Sequence, residues 1–161
     1  MTEYAAFMRL SYDEALKSPD PSTQNGALLV RGAQVYGRGH NDFTFGVDPK
    51  HWIGEKADKY ARVCHAEVSA ILDASRFGVC TLGTTLICGW AACDNCAKYM
   101  VLAGVKKLVR HSYEDSTTGN QWRSSCEVGN EILAAGGVEV VEIKPVFWDG
   151  TLRRDGKPWV P

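Results

Sequence analysis

The 161-residue sequence predicts an α/β fold built on a mixed five-stranded sheet. Three observations predict it. Five short runs of β-branched and apolar residues recur along the chain, each bounded by glycine, polar or proline punctuation. The first two are separated only by Gly32-Ala33, which makes them a hairpin. Segments with helical spacing separate the later ones, and the helix between the fourth and fifth strands makes that pair parallel through a crossover.

Taken in order, Thr2 can cap a first helix carrying Tyr4, Ala5, Phe7, Met8, Ala15 and Leu16, closed by Ser18-Pro19-Asp20-Pro21. Residues 26–30 and 34–39 form the first two strands. Residues 42–56, with Phe43, Phe45, Pro49 and Trp52, lack periodicity, and two readings stay open: a cover over a site, or a peripheral loop. After His65 the apolar positions Val68, Ala70, Ile71, Leu72, Ala74 and Phe77 mark a helix that Gly78 stops. Residues 84–88 make the third strand. A second helix starts at Cys93 and ends at Gly104. Residues 105–110 form the fourth strand, 112–120 a polar loop, 121–135 a helix closed by Gly136-Gly137, and 138–143 the last strand. The tail 144–161 holds Trp148 and Trp159 and reads as an aromatic-anchored extension, a candidate subunit contact, of a single domain 1–161.

Composition narrows the function. Eighteen basic against 19 acidic residues leave a formal charge of −1, and no basic run exceeds two residues. A polynucleotide-binding protein would carry a clear basic face, so a small-molecule substrate is expected and nucleic acid is not. No stretch approaches the roughly 18 apolar residues of a membrane span. Residues 1–10 mix charges and lack an apolar core, so no signal peptide is expected, and six cysteines without one point to a reducing, cytoplasmic setting. Cys64, Cys80, Cys88 and Cys126 then read as buried small side chains rather than bridges.

The chemistry lies in His65-Ala66-Glu67 and Cys93-Asp94-Asn95-Cys96. A catalytic zinc keeps three protein ligands and one open position, and His65, Cys93 and Cys96 supply three. A structural zinc would want a fourth Cys or His. Cys64 adjoins His65, yet helix neighbours do not share a face. Glu67 is placed to move protons without binding metal. His-x-Glu followed by Cys-x-x-Cys is the pattern of zinc-dependent nucleobase deaminases. The helix–strand–helix order brings both helix N-termini to one sheet edge, where the macrodipole favours thiolate. The second strand ends at His40-Asn41 on that edge, and its partner begins near Asn25. The fourth strand ends there too, ahead of Tyr113. Asn25, Asn41 and Tyr113 are therefore candidate substrate contacts, with turn-forming or packing roles as the open alternatives. The Ala66 and Cys93 backbones are further candidates, and His111 is a weaker one.

Between residues 18 and 143 the chain resembles the deoxycytidylate (dCMP) deaminases of the cytidine deaminase superfamily. The likeness rests on Asp20-Pro21-Ser22-Thr23-Gln24-Asn25-Gly26-Ala27, Gly39-His40-Asn41, and Lys59-Tyr60-Ala61-Arg62-Val63-Cys64-His65-Ala66-Glu67. It continues through Ala70-Ile71, Cys93-Asp94-Asn95-Cys96-Ala97-Lys98 and Ala103-Gly104-Val105-Lys106. The resemblance implies a three-layer α/β/α fold, zinc, hydrolysis of dCMP to dUMP, a nucleotide contact at Asn41, and a homo-oligomer, usually a hexamer. Departures are Ala92 for the usual Pro, Asn25 for Val, and Ser69 for Asn. In relatives regulated by dCTP and dTTP, a Gly follows the motif's Asn; here Asp42 stands there. Alternatives within the pattern are modified dCMP, dCTP, guanine or tRNA adenosine as substrate, or a non-catalytic nucleotide-binding protein.

Overall fold

The computed structural model describes residues 3–44, 46–48, 50, 56–113 and 119–161. Thr2, Phe45, Pro49, Trp52 and residues 114–118 lie outside them, so the N-terminal cap and parts of the 42–56 and 112–120 segments stand as sequence expectations.

Helix α1 (Ala5–Ala15) leads to strands β1 (Gly26–Arg31) and β2 (Gln34–His40). The short strand β3 (Asp42–Phe43), helix α2 (Lys56–Tyr60) and strand β4 (Val63–Cys64) follow. Then come α3 (Ala66–Arg76), β5 (Thr85–Cys88), α4 (Asp94–Leu102), β6 (Lys107–His111), α5 (Gly119–Ala135) and β7 (Glu139–Ile143). Strands β8 (Leu152–Arg154) and β9 (Lys157–Trp159) close the series. The main sheet has five strands in the order β2-β1-β5-β6-β7. Its β2-β1-β5 half is antiparallel and its β5-β6-β7 half parallel. The β6–β7 pair is the parallel crossover expected from the sequence, and β5–β6 is a second one.

Alternation along the strands builds two cores. Ala27, Leu29, Leu86, Cys88 and Leu108 face α3, α4 and α5. Leu28, Val30, Ile87 and Val109 face α1 and the tail, which supplies Trp148 and Leu152. These are the three layers. Gly32, at φ +57, makes the β1–β2 turn. Gly39 lets β2 lie directly on α3, since a Cβ there would stand 2.3 Å from the Ala70 nitrogen and 2.4 Å from the Ala66 oxygen.

Three elements were not foreseen: α2, the two-residue β3–β4 pair, and the β8–β9 hairpin. The first two are too short to show periodicity. All six cysteines are free, as expected, but Cys80 is exposed rather than buried. It sits beside the Gly83 turn, where the chain has left the core. Among the described residues no helix is long and apolar enough to cross a membrane.

Candidate active site

Both metal-binding motifs lie at helix starts. His65 is the N-cap of α3 and Cys93 that of α4, each with extended backbone angles. Cys93 Sγ accepts from the Cys96 backbone N–H at 3.5 Å. His65 Nδ1 lies 3.5 Å from Cys93 Sγ and 3.4 Å from Cys96 Sγ. Tetrahedral zinc, with bonds of about 2.3 Å to sulfur and 2.0–2.1 Å to nitrogen, puts N and S ligands about 3.6 Å apart. All three ligand atoms fall within 4.8 Å of one another. The donor set and its spacing fit zinc. Cys64 is not part of the group: it lies on β4 rather than a helix, with its thiol 3.7 Å from the His65 carbonyl oxygen.

Protonation fits metal capture too. Hydrogen bonding with Cys96, then with His65, outweighs burial and holds the Cys93 thiol at about 4. Hydrogen bonding to Cys93 and burial push the Cys96 thiol well up.

Helix α5 braces this loop from behind. A Cβ on Gly129 would stand 2.4 Å from the Ala92 oxygen, so α5 packs backbone to backbone against the residue before Cys93. Ser125 Oγ donates to Asp94 Oδ1 at 2.6 Å and accepts from the Asp94 N–H at 3.3 Å. Trp122 presents its ring edge-on to His65, with centroids 5.5 Å apart, and to Tyr60 at 5.2 Å.

In front of the ligands opens a cavity of about 740 Å³ including its mouth. On its floor Glu67 is 3 % exposed, and its Oε2 has no hydrogen-bond partner among the described residues. Burial pushes its carboxyl up. An orphaned acceptor of this kind is costly unless a ligand or water uses it.

The wall opposite is a clamp around residues 20–25. Asn41 donates both amide hydrogens, to Asp20 Oδ2 and the Thr23 carbonyl (2.9 Å each), and accepts from the Asn25 N–H at 2.7 Å. Asp20 also binds Lys59 Nζ at 2.7 Å. Asn25 lines the cavity. Its Oδ1 accepts from Cys88 Sγ at 3.3 Å, while its Nδ2 has no partner among the described residues.

Asn25, Asn41, His65, Glu67 and Cys93 are thus brought together as the strand geometry predicts. Tyr113 and Ala66 do not line the cavity. Tyr113 donates to the Arg123 carbonyl at 3.3 Å under the Arg110 guanidinium. Ala66 is fully buried in the first turn of α3. His111 is buried on the α1 side, 2.9 Å from the Tyr12 hydroxyl. Trp122 and Cys126 of α5 and Asp155 of the tail line the cavity without having been foreseen.

The sequence matches the cytidine and deoxycytidylate deaminase zinc-binding region over residues 1–112. The chain belongs to this family. Among relatives of this deaminase family, an uncharacterized deaminase from the luxG 3′ region of Aliivibrio fischeri is 30% identical over 124 residues, 76% of this chain and 81% of that protein. The deoxycytidylate deaminase of Homo sapiens is 34% identical over 119 residues, covering 68% of this chain and 66% of the human protein. The chain thus matches just under two thirds of the human enzyme's length. The dCMP deaminase of cyanophage S-TIM5, solved with dCMP and dUMP, superposes with a TM-score of 0.68 over 89% of this chain and 99% of that one. At 21% identity this likeness concerns the fold, and it meets the three-layer expectation.

Proposed function

We propose that this protein is a zinc-dependent hydrolase of free pyrimidine deoxynucleotides, converting dCMP to dUMP and ammonia. The observation that carries the reading is Glu67: a buried carboxylate with an unused oxygen, on the cavity floor beside a His/Cys/Cys trio. The choice of a cytosine nucleotide draws on the family and its deoxycytidylate deaminase relatives.

His65, Cys93 and Cys96 would hold the metal. Zinc, when bound, lowers the pKa of water from 15.7 to about 7 and so supplies a nucleophile at neutral pH. Glu67 Oε2 takes the proton of the attacking water, delivers it to ring N3 and then helps protonate the amine leaving C4. Water adds, ammonia departs, and the base keeps the oxygen. A carboxyl raised by burial suits this shuttle, because its affinity for the proton lies nearer neutrality. Asn25 Nδ2 is the open donor for the base or sugar. Asn41, with both amide hydrogens engaged, serves by holding residues 20–25 in place. The rings of Tyr60, Trp90 and Trp122 exclude water from the walls.

The test is ammonia release over dCMP, dCTP, CMP, deoxycytidine, 5-substituted dCMP, guanine and adenosine-containing RNA, with dCMP expected to lead. Deoxycytidine turning over as efficiently as dCMP would overturn the nucleotide assignment. Glu67→Ala should keep about one zinc per chain by elemental analysis while turnover falls about 10²–10⁴-fold. Loss of zinc along with activity would show that Glu67 has been misassigned.

A further inference from the structure

The β8–β9 hairpin lies beyond the residues matched to the family, yet it forms part of the cavity wall. Its turn is Asp155-Gly156, with φ of 52° and 75°. Two successive positive φ values are the pattern of a tight type I′ hairpin turn, which asparagine or aspartate followed by glycine favours. Four hydrogen bonds stitch the hairpin to residues 22–24. The Gln24 N–H donates to the Arg153 carbonyl at 3.0 Å and the Gly156 N–H to the Ser22 carbonyl at 2.8 Å. The Arg153 N–H donates to Gln24 Oε1 and the Asp155 N–H to Thr23 Oγ1, both at 3.1 Å. Behind them Trp159 packs on Trp90 with centroids 5.0 Å apart, and Arg154 lies over the Trp90 ring at 4.9 Å. This wall is held from both sides.

The floor and the mouth of the cavity differ in kind. Glu67 is buried at the floor, whereas Asp155 lines the cavity from an exposed position. A base whose reacting carbon reaches the floor must direct its sugar and phosphate toward the mouth. Among the described lining residues Lys59 is the one lysine or arginine, and Asp20 already engages it at 2.7 Å. The carboxylate that a growing phosphate chain meets is then that of Asp155.

We infer that the hairpin is a specificity element, with the Asp155 carboxylate discriminating against substrates that carry more than one phosphate. This rests on the cytosine-nucleotide reading above. A triphosphate brings about two more negative charges than a monophosphate past the same carboxylate. Across a solvated mouth that is an effect of about three- to tenfold, shrinking with added salt.

The test is Asp155→Asn, which removes the charge and keeps a residue that the turn accepts. Its kcat/KM for dCTP relative to dCMP should rise about three- to tenfold at low salt. Glu131→Gln, at an exposed site on α5 away from the cavity, should leave the ratio alone. An unchanged ratio in Asp155→Asn, or an equal rise in Glu131→Gln, overturns the inference. Binding of dUMP and dUTP, measured in parallel by thermal shift, gives the same ratio without turnover. A wild-type enzyme inactive on every cytosine nucleotide would refute the proposed activity, while the binding ratio would still decide the role of Asp155.

Discussion

Replacing Asp20 should damage this protein more than replacing its cationic partner. Asp20 is 4 % exposed and Lys59 9 %, so water screens their ion pair little. The carboxylate accepts from Lys59 Nζ at 2.7–2.8 Å, from Asn41 Nδ2 at 2.9 Å, and from the N–H groups of Ser22 and Thr23 at 2.8 and 3.4 Å. Asp20→Ala takes the carboxylate away from the buried ammonium and releases the 22–23 turn at once. Breaking a buried pair in this way costs about 3–5 kcal/mol. Lys59→Met leaves the carboxylate three N–H donors. It loses one charged hydrogen bond, a cost of about 1.5–3 kcal/mol. In a protein of this size each kcal/mol moves Tm by about 2–4 °C, so Asp20→Ala should fall by about 6–20 °C. Urea unfolding of the zinc-loaded proteins at fixed free zinc measures both. Lys98→Met supplies the scale, because its pair with Asp94 is 53 % and 38 % exposed and should matter by no more than about 0.5 kcal/mol. The reasoning fails if Asp20→Ala costs less than about 1 kcal/mol, or if Lys59→Met proves the worse of the two.

Two further outcomes follow from other contacts. Gly129→Ala would set a Cβ 2.4 Å from the Ala92 oxygen and 3.0 Å from the Cys93 carbonyl carbon. It should lower zinc affinity in chelator competition and destabilise by about 1–3 kcal/mol; unchanged affinity would mean that α5 yields without moving the ligand loop. Asp42 caps its own neighbour, Oδ1 accepting from the Phe43 N–H at 2.7 Å, and adds a half-exposed negative charge where the family resemblance implies glycine in relatives regulated by dCTP and dTTP. At sub-saturating dCMP with Mg²⁺, dCTP and dTTP should therefore change the rate by less than the roughly fivefold at which effector coupling usually begins. Activation by dCTP that dTTP reverses would show that the altered motif still works.

What the sequence made legible was local. His65 and Cys93 could be placed at helix starts because apolar spacing follows each of them and a glycine, Gly78 or Gly104, ends each run at positive φ. The strand order then put Asn25 and Asn41 on one edge. Side-chain direction was harder. Tyr113 follows a strand ending at the correct edge, but its hydroxyl turns to the Arg123 carbonyl. Trp122 and Cys126 reach the cavity from α5, whose close packing on Ala92 is permitted by Gly129, a tertiary fact with no local signature. Asn41 lines the cavity, yet its amide is occupied by three protein partners. Asp155-Gly156 did carry a signal, the dipeptide of a two-residue hairpin, but its strands of three residues each were too short to frame it.

The stitched wall also bears on the order in which the site comes together. His65 and Cys96 are 31 residues apart, whereas the bonds between the hairpin and residues 22–24 span 129 and 132. Closing the longer loop costs about 1.3 kcal/mol more in chain entropy, before any contact rewards it. The metal trio is thus a short-range assembly that a nascent chain can complete early. The wall that gives the cavity its shape is a long-range one, and a two-stranded hairpin alone is marginal in water. Local opening should therefore begin there, with the His65, Cys93 and Cys96 trio still in place. The groups proposed for reactivity thus lie in the part that forms early, and those proposed for selectivity in the part that closes last.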